Sequence, residues 1–131
     1  MAGGFAVILD TCALLWLANG DRKLSRAAIQ RINEAPAIYV SAISGFEIAL
    51  KAAKGGLRLP LPAEEWCQKV ITQHHLTLLP LDLSICIVAA ELPPIHNDPC
   101  DRFIIATAKK HGFPVVTADE RFSAYGVAVL L

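Results

Sequence analysis

Residues 5–17 read FAVILDTCALLWL and join a short apolar run to a helix through one acidic residue. The run 5–9 is apolar throughout, which is typical of a strand buried on both faces of a parallel sheet. Asp10 follows directly, and a helix is predicted to begin at Thr11. These residues predict the first strand and helix of an α/β fold.

The alternation continues along the chain. Further short apolar runs predict strands at residues 37–41, 77–81, 114–117 and 127–130. Helical patterns lie between them, and we predict helices over residues 25–35, 42–54, 62–75, 83–92, 99–111 and 120–124. Repeated strand–helix–strand units predict a central parallel sheet of about five strands with helices on both faces.

The composition indicates apolar surface that needs a cover. Hydrophobic residues make up 54% of the 131 residues, and glycine raises the apolar share to about 60%, against roughly 45–50% for an ordinary soluble domain. No apolar stretch approaches the ~20 residues of a membrane span, and the N-terminus lacks the basic segment of a signal peptide. We therefore expect one cytoplasmic domain over residues 1–131 with an apolar surface for a protein partner.

Two further features refine this expectation. The predicted helix 83–92 is apolar nearly all round, which places it in the core or at an interface. The four cysteines have no C-x-x-C spacing, so a zinc site and a disulfide framework are both disfavoured. We expect reduced thiols packed as small hydrophobic side chains, at Cys12, Cys67, Cys86 and Cys100.

Four aspartates each have an ordinary structural explanation. Asp10 and Asp119 follow predicted strands, where a carboxylate caps the helix that comes next. Asp98 precedes Pro99 and suits an N-cap, and Asp101 three residues later gives a capping-box-like pattern. Taken singly, these aspartates require no chemistry.

The predicted topology nevertheless brings several acids to one place. Ligands of open α/β sheets bind beyond the carboxyl ends of the strands, and Asp10 and Asp119 lie just past two such ends. Asp101 falls in the first turn of a helix that leads into the strand 114–117, and so it can face the same crevice. Glu47 lies in the middle of a helix and caps nothing. Lys51 offers it an exposed ion pair, but in this context we interpret Glu47 as a fourth member of the cluster.

Four carboxylates in one crevice require protons or a cation. Two unit charges about 4 Å apart repel by ~4 kcal/mol at an effective dielectric constant of roughly 20. Oxygen ligands suit Mg²⁺ or Mn²⁺ rather than zinc, and such an ion typically activates water and neutralises charge on phosphoryl oxygens. We predict a catalytic, Mg²⁺-binding site, with Mn²⁺ as a possible substitute, formed by Asp10, Glu47, Asp101 and Asp119.

The net charge of the chain does not by itself indicate a nucleic-acid-binding protein. Twelve Lys and Arg balance twelve Asp and Glu, whereas most nucleic-acid-binding proteins are basic. Lys51 and Lys54 share a helical stripe with Glu47, and Arg58 follows just beyond the helix. This basic track suits a phosphodiester backbone, and a solvated helix face explains it equally well.

With these residues identified, the chain resembles the PIN-domain family, and within it the VapC-type toxins of bacterial toxin–antitoxin pairs. The resemblance covers nearly the whole chain. It is carried by LDTCALLWL, SAISGFEIALKAAKGGLRLPLP, HNDPCDRFIIATAKKHG and VVTADERF, in that order. Each motif alone is weak evidence for the resemblance. Four motifs at fitting separations, on an α/β pattern of the right length, are specific evidence for it.

The resemblance implies a three-layer, Rossmann-like fold whose acidic quartet falls on the four acids already named. It places hydroxyl residues that orient ligands or water at Thr11 and Thr117, and it gives Asp98 a supporting or capping role. Cys100 stands where the family usually has Phe, which changes the packing beside Asp101. The resemblance also implies RNA as substrate, a homodimer, and a cognate antitoxin with a segment over the active site.

Two rival classes lack their required residues. A phosphoacceptor receiver domain needs further acids upstream and a late lysine, and a haloacid-dehalogenase-type phosphatase needs an aspartate where Cys12 stands. Two alternatives stay open: a housekeeping PIN nuclease in RNA maturation, and a non-catalytic PIN-like module that binds RNA or protein. Loss of one acid would indicate the latter, and all four are present.

Overall fold

A computed structural model describes residues 5–130 of the chain. Within that range the sheet is formed by β1 (Val7–Leu9), β2 (Ile38–Ser41), β3 (Thr77–Leu79), β4 (Val115–Val116) and β5 (Val129–Leu130). The helices are α1 (Thr11–Asn19), α2 (Arg26–Glu34), α3 (Ala42–Ala53), α4 (Ala63–Gln73), α5 (Leu83–Glu91) and α6 (Pro99–His111), followed by a short 3-10 helix, Glu120–Tyr125.

The strands form one parallel sheet in the order β3-β2-β1-β4-β5. The central strand β1 pairs with β2 on one side and β4 on the other, so that Ile8 is aligned with both Tyr39 and Val115. The first three strands progress to one side, and α5 and α6 then return the chain to the other side of β1. The order therefore reverses between β1 and β4, which is where open α/β sheets bind ligands.

Side chains of β1 alternate between two hydrophobic layers, as the two-residue period of a strand requires. Val7 and Leu9 join buried residues of α1, α2 and α4 on one face. Ile8 joins buried residues of α5, α6 and the 3-10 helix on the other face. The three-layer α/β fold predicted from the sequence is confirmed.

The structure shortens the predicted strands and corrects three details. Phe5 lies outside β1 with 74% of its surface exposed. The strand at 77–81 is not buried, because β3 lies at the edge of the sheet and Leu78 is 48% exposed. Cys12 is exposed rather than packed in the core, since it falls in the first turn of α1 at the mouth of the cleft described below.

Helix α5 is half-buried. Ile85 and Ala89 pack into the core, whereas Leu83 and Ile87 are 75% and 47% exposed. Leu83 and Ile87 are four residues apart, so they lie on one face of the helix. Within residues 5–130, no helix is both long enough and apolar enough to cross a bilayer.

Candidate active site

The site lies at the reversal of strand order, and Asp10 is its anchor. The backbone N–H of Asp10 donates to the carbonyl oxygen of Val116, 3.1 Å away, which ties the end of β1 to β4. Its Oδ1 accepts from the Ala13 N–H at 2.8 Å and caps α1. The capping role foreseen from the sequence is therefore real, and the carboxylate is buried at the same time, with 5% of the residue exposed.

All four acids of the predicted quartet line one cleft of about 310 Å³. Asp10 enters from the end of β1 and Glu47 from the second turn of α3. Asp101 enters from the first turn of α6, and Asp119 from the segment after β4. The remaining lining residues are Thr11, Cys12, Trp16, Lys51, Asp98 and Ala118.

Crowding changes the acidity of two of these groups. Burial is the main cause that raises the pKa of Asp10, and the charges of Glu47 and Asp119 add to it. Burial and the neighbouring Asp98 charge raise the pKa of Asp101 to about 7. Both carboxyls are thus destabilised in their charged form unless a cation is supplied.

Asp119 behaves in the opposite way because it has a cationic partner. Its Oδ1 accepts from the Arg121 N–H and Nε, each at 3.0 Å. Its Oδ2 accepts from Arg121 Nη2 at 2.9 Å. These bonds are the main cause that lowers the pKa of Asp119 to about 2. Asp119 also caps the 3-10 helix, as the sequence suggested, and it is the acid least free to bind a metal.

Glu47 has an unsatisfied oxygen. Its Oε2 lies 3.3 Å from Lys51 Nζ, so the i,i+4 ion pair exists. Its Oε1 is the only buried side-chain oxygen or nitrogen of the described residues that has no hydrogen-bond partner. Buried polar atoms are rarely left unpaired. An unpaired carboxylate oxygen beside two carboxyls of raised pKa fits a hard divalent cation with oxygen ligands.

The predicted supporting residues contact the site. Thr11 is buried and shares a 2.9 Å hydrogen bond with Ser44 of α3. The Thr117 hydroxyl accepts from the Asp119 N–H at 3.0 Å, and a hydrogen bond to its side chain lowers the pKa of Asp10. Asp98 caps α6, since its Oδ1 accepts from the Cys100 N–H at 2.9 Å.

The structure separates the predicted basic track. Lys51 lines the acidic cleft. Lys54 and Arg58 are exposed and do not line it. Arg58 lines a different groove of about 580 Å³, together with apolar residues such as Leu57 and Leu59.

Sequence reasoning missed His96. Only 1% of this residue is exposed. Its Nε2 lies 3.0 Å from Oδ2 of Asp101 and 2.8 Å from Oδ2 of Asp119. Its Nδ1 accepts from the Asp98 N–H at 3.1 Å. The sequence holds one signal for this histidine: it stands two residues before Asp98, in the same stretch as Asp101.

The loop that carries His96 is held by Arg102 and Tyr125. The guanidinium of Arg102 donates to backbone carbonyls between residues 89 and 96, including Leu92 O at 2.6 Å and His96 O at 3.1 Å. The Tyr125 hydroxyl accepts from the His96 N–H at 2.7 Å and donates to Pro93 O at 2.7 Å. The segment that leads to His96, and the backbone of His96 itself, are thereby fixed without helix or strand.

The family model described as PIN domain matches residues 7–128. Ribonuclease VapC22 of Mycobacterium tuberculosis is 35% identical to the chain over 120 residues, which cover 91% of each protein.

Two solved structures share the fold. A chain of VapBC2 from Rickettsia felis, bound to a DNA fragment from their promoter, has a TM-score of 0.69 and 13% identity, over 97% of this chain and 98% of that one. A chain of a toxin-antitoxin complex from Klebsiella pneumoniae has a TM-score of 0.65 and 20% identity, over 95% of this chain and 96% of that one.

Proposed function

The chain belongs to the PIN-domain family, and from that premise we propose that it is an endoribonuclease, the toxin of a toxin–antitoxin pair. The observation that carries the proposal is the gathering of four acids in one cleft at the reversal of strand order. The likeness to a relative named as a ribonuclease supports the activity. The fold match to a toxin-antitoxin complex supports the biological setting. We propose the cytoplasm as its location, because RNA is the proposed substrate.

Membership in this family implies a divalent metal ion, and we propose Mg²⁺, with Mn²⁺ as a substitute. When bound, such an ion lowers the pKa of a water molecule and neutralises charge on phosphoryl oxygens. Asp10 and Asp101 would be the principal ligands, because burial and neighbouring negative charges raise the pKa of both carboxyls. Glu47 would add its unpaired Oε1. Asp119 would complete the set once Arg121 released one of its oxygens.

The protein's own groups then have defined tasks. Asp10 is held rigidly by its backbone bond to β4 and its cap on α1, which fixes one side of the cleft. The ordered hydroxyls of Thr11 and Thr117 orient carboxylates or water. Lys51, at the rim, is placed to contact a phosphodiester. For Lys54 and Arg58, contact with RNA stays a prediction that the cleft itself does not support.

We further propose a homodimer and an antitoxin as the protein partners. Two helices each carry a pair of exposed apolar side chains four residues apart: Leu83 and Ile87 on α5, and Phe46 and Leu50 on α3. Two apolar surfaces fit two interfaces. A basic side chain of an antitoxin segment would be attracted to the acidic cleft, where it would compete with the metal ion.

The test is cleavage of RNA by the purified protein with and without Mg²⁺, using Asp10→Asn as the inactive variant. Asparagine also caps helices, so α1 should remain intact. Its neutral side chain relieves a crowded carboxylate, so the melting temperature should hold or rise. The rate should fall by more than the roughly 10–100-fold that loss of an outer-sphere partner costs.

Asp82→Asn is the matched control. Asp82 also caps a helix, since its Oδ1 accepts from the Ile85 N–H at 2.8 Å, and it does not line the cleft. This variant should cleave RNA as the wild type does. Full activity of Asp10→Asn, or wild-type cleavage that persists with a chelator, would contradict the proposal.

A further inference from the structure

The buried His96 contacts two of the four acids, and the proposed metal site gives it no role. It lies in the loop between α5 and α6, and its ring reaches two of the acids, Asp101 from α6 and Asp119 from beyond β4. These three side chains place ligand-type atoms within 4.8 Å of one another. Two roles are possible for the ring: Nε2 binds a metal ion together with the two carboxylates, or an Nε2–H group keeps the two carboxylates in place.

The hydrogen bonds of the ring decide between these roles. The Asp98 N–H donates to Nδ1 at 3.1 Å, so Nδ1 is the acceptor nitrogen and the proton of a neutral ring lies on Nε2. A second proton, on Nδ1, would face the Asp98 N–H donor. The geometry therefore places an N–H group at Nε2, facing the two acids, and a protonated nitrogen offers no lone pair to a metal.

We propose that His96 is a positioning residue: its Nε2–H hydrogen-bonds to Oδ2 of Asp119 and keeps Oδ2 of Asp101 beside it, so that the site is shaped before metal binds. This inference rests on the proposed metal-dependent function. Oδ2 of Asp119, 2.8 Å from Nε2, is the hydrogen-bond acceptor. Oδ2 of Asp101 lies 3.0 Å from the same nitrogen as an electrostatic contact, and both acids line the cleft.

The surroundings of His96 support a fixed role. The backbone N–H of His96 donates a hydrogen bond to the Tyr125 hydroxyl, and its carbonyl oxygen accepts one from Arg102 Nη1. Its ring packs edge-on against Phe122, with centroids 5.8 Å apart and planes at 83°. The backbone and the ring are thus constrained independently, as expected for a group that must present one nitrogen at a defined point. A buried histidine that only fills space would not need to meet two carboxylates.

The first experiment reads the tautomer directly. Long-range ¹H–¹⁵N spectra of the full chain should show that the His96 ring carries a proton on Nε2 and none on Nδ1, both without metal and with saturating Mg²⁺. His96→Gln, which loses that signal, assigns it. A signal for a protonated Nδ1, or a ring nitrogen that loses its proton when Mg²⁺ or Mn²⁺ is added, would overturn the inference.

The second experiment measures Mg²⁺ binding by calorimetry, without RNA. His96→Leu removes the donor and should weaken Mg²⁺ binding about 10–100-fold. His96→Gln keeps an N–H donor near the position of Nε2 and should restore most of the affinity. His111→Leu, the same change at an exposed histidine at the far end of α6, should bind as the wild type does.

The outcomes separate this inference from the proposed function. If His96→Leu binds Mg²⁺ as tightly as the wild type while the wild type cleaves RNA, the positioning role is wrong and the nuclease stands. If Mg²⁺ binding follows the predicted order but the wild type cleaves no RNA, the positioning role stands and the nuclease falls.

Discussion

Asp101 and Asp119 lie against the same imidazole nitrogen, yet their carboxyl pKa values move in opposite directions. Burial and the nearby Asp98 charge raise the pKa of Asp101 to about 7. The bidentate contact with Arg121 lowers the pKa of Asp119 to about 2. Two titrating groups whose surroundings drive their acidity apart are typical of functional sites.

The raised pKa of Asp101 predicts that the stability of the metal-free protein depends on pH. The pKa of Asp101 is higher in the folded state than its ordinary value of 3.8. Its contribution to the free energy of unfolding is therefore fully present below about pH 4 and is lost as the pH rises toward about 7. In thermal melts with a chelator, the wild type should lose stability across this window more steeply than Asp101→Asn.

Saturating Mg²⁺ should abolish that difference in slope, because the cation stabilises the charged carboxylate. Asp119 contributes in the opposite sense: its stabilisation is present above its ordinary pKa of 3.8 and is lost only as the pH falls toward about 2. Equal slopes for the wild type and Asp101→Asn between pH 4 and pH 7 would show that Asp101 is not destabilised by its surroundings.

At the scale of single residues, the sequence indicated the acids but not what holds them. Each acid follows a strand, begins a helix or lies within one, so the topology alone predicted a shared crevice. The cleft contains all four, and their catalytic role stays a prediction. His96 was missed because its contacts depend on the conformation of a loop, which no periodicity or spacing encodes.

Among the elements, α6 shows how a capping residue and a site residue occupy one turn. Asp98 caps the helix through the Cys100 N–H, Pro99 fills the first helical position, and Gly112 ends the helix at φ 72°. The predicted bounds of this helix agree with the structure because both ends carry strong local signals.

We expect Asp98→Ala to lower the free energy of unfolding by about 1 kcal/mol, and Asp98→Ser to restore most of it, because serine also caps. Denaturant titration of both variants measures the effect, with Asn97→Ala, an exposed neighbour, as the control. RNA cleavage should follow folding. If Asp98→Ser is as stable as the wild type but as inactive as Asp101→Asn, then Asp98 is a ligand and not only a cap.

The strands were less well predicted than α6, and the reason is physical. Short apolar runs show which residues favour a strand, but their ends are set by pairing with neighbours. β4 comprises only Val115–Val116 because that is where it aligns with β1 and β5. The exposure of β3 depends on its place at the sheet edge, which the local sequence does not specify.

At the scale of the whole molecule, the apolar face of α5 predicts self-association. Leu83 and Ile87 lie on one face and are 75% and 47% exposed, and a self-complementary patch most often forms a twofold dimer. Light scattering should show that the wild type is a dimer. The double variant Leu83→Glu, Ile87→Glu should be a monomer at the same concentration, because it places four charges in the interface.

Phe46→Glu is the control for added surface charge. Phe46 is 56% exposed, but it lies on α3, so this variant should remain a dimer. A wild-type monomer, or a double variant that still dimerises, would assign the α5 face to another partner.

Because β4 pairs with β1, the site can form only after β4 has been synthesised. A chain emerges from the ribosome N-terminus first, at roughly 5–20 residues per second. Asp10 and Glu47 are therefore synthesised several seconds before β4 and Asp119, and until then one edge of β1 has no neighbour. The cleft with its four acids therefore cannot form until β4 and Asp119 have been synthesised. A chain terminated before β4 would carry the first acids but lack Asp119, so we expect it to cleave no RNA.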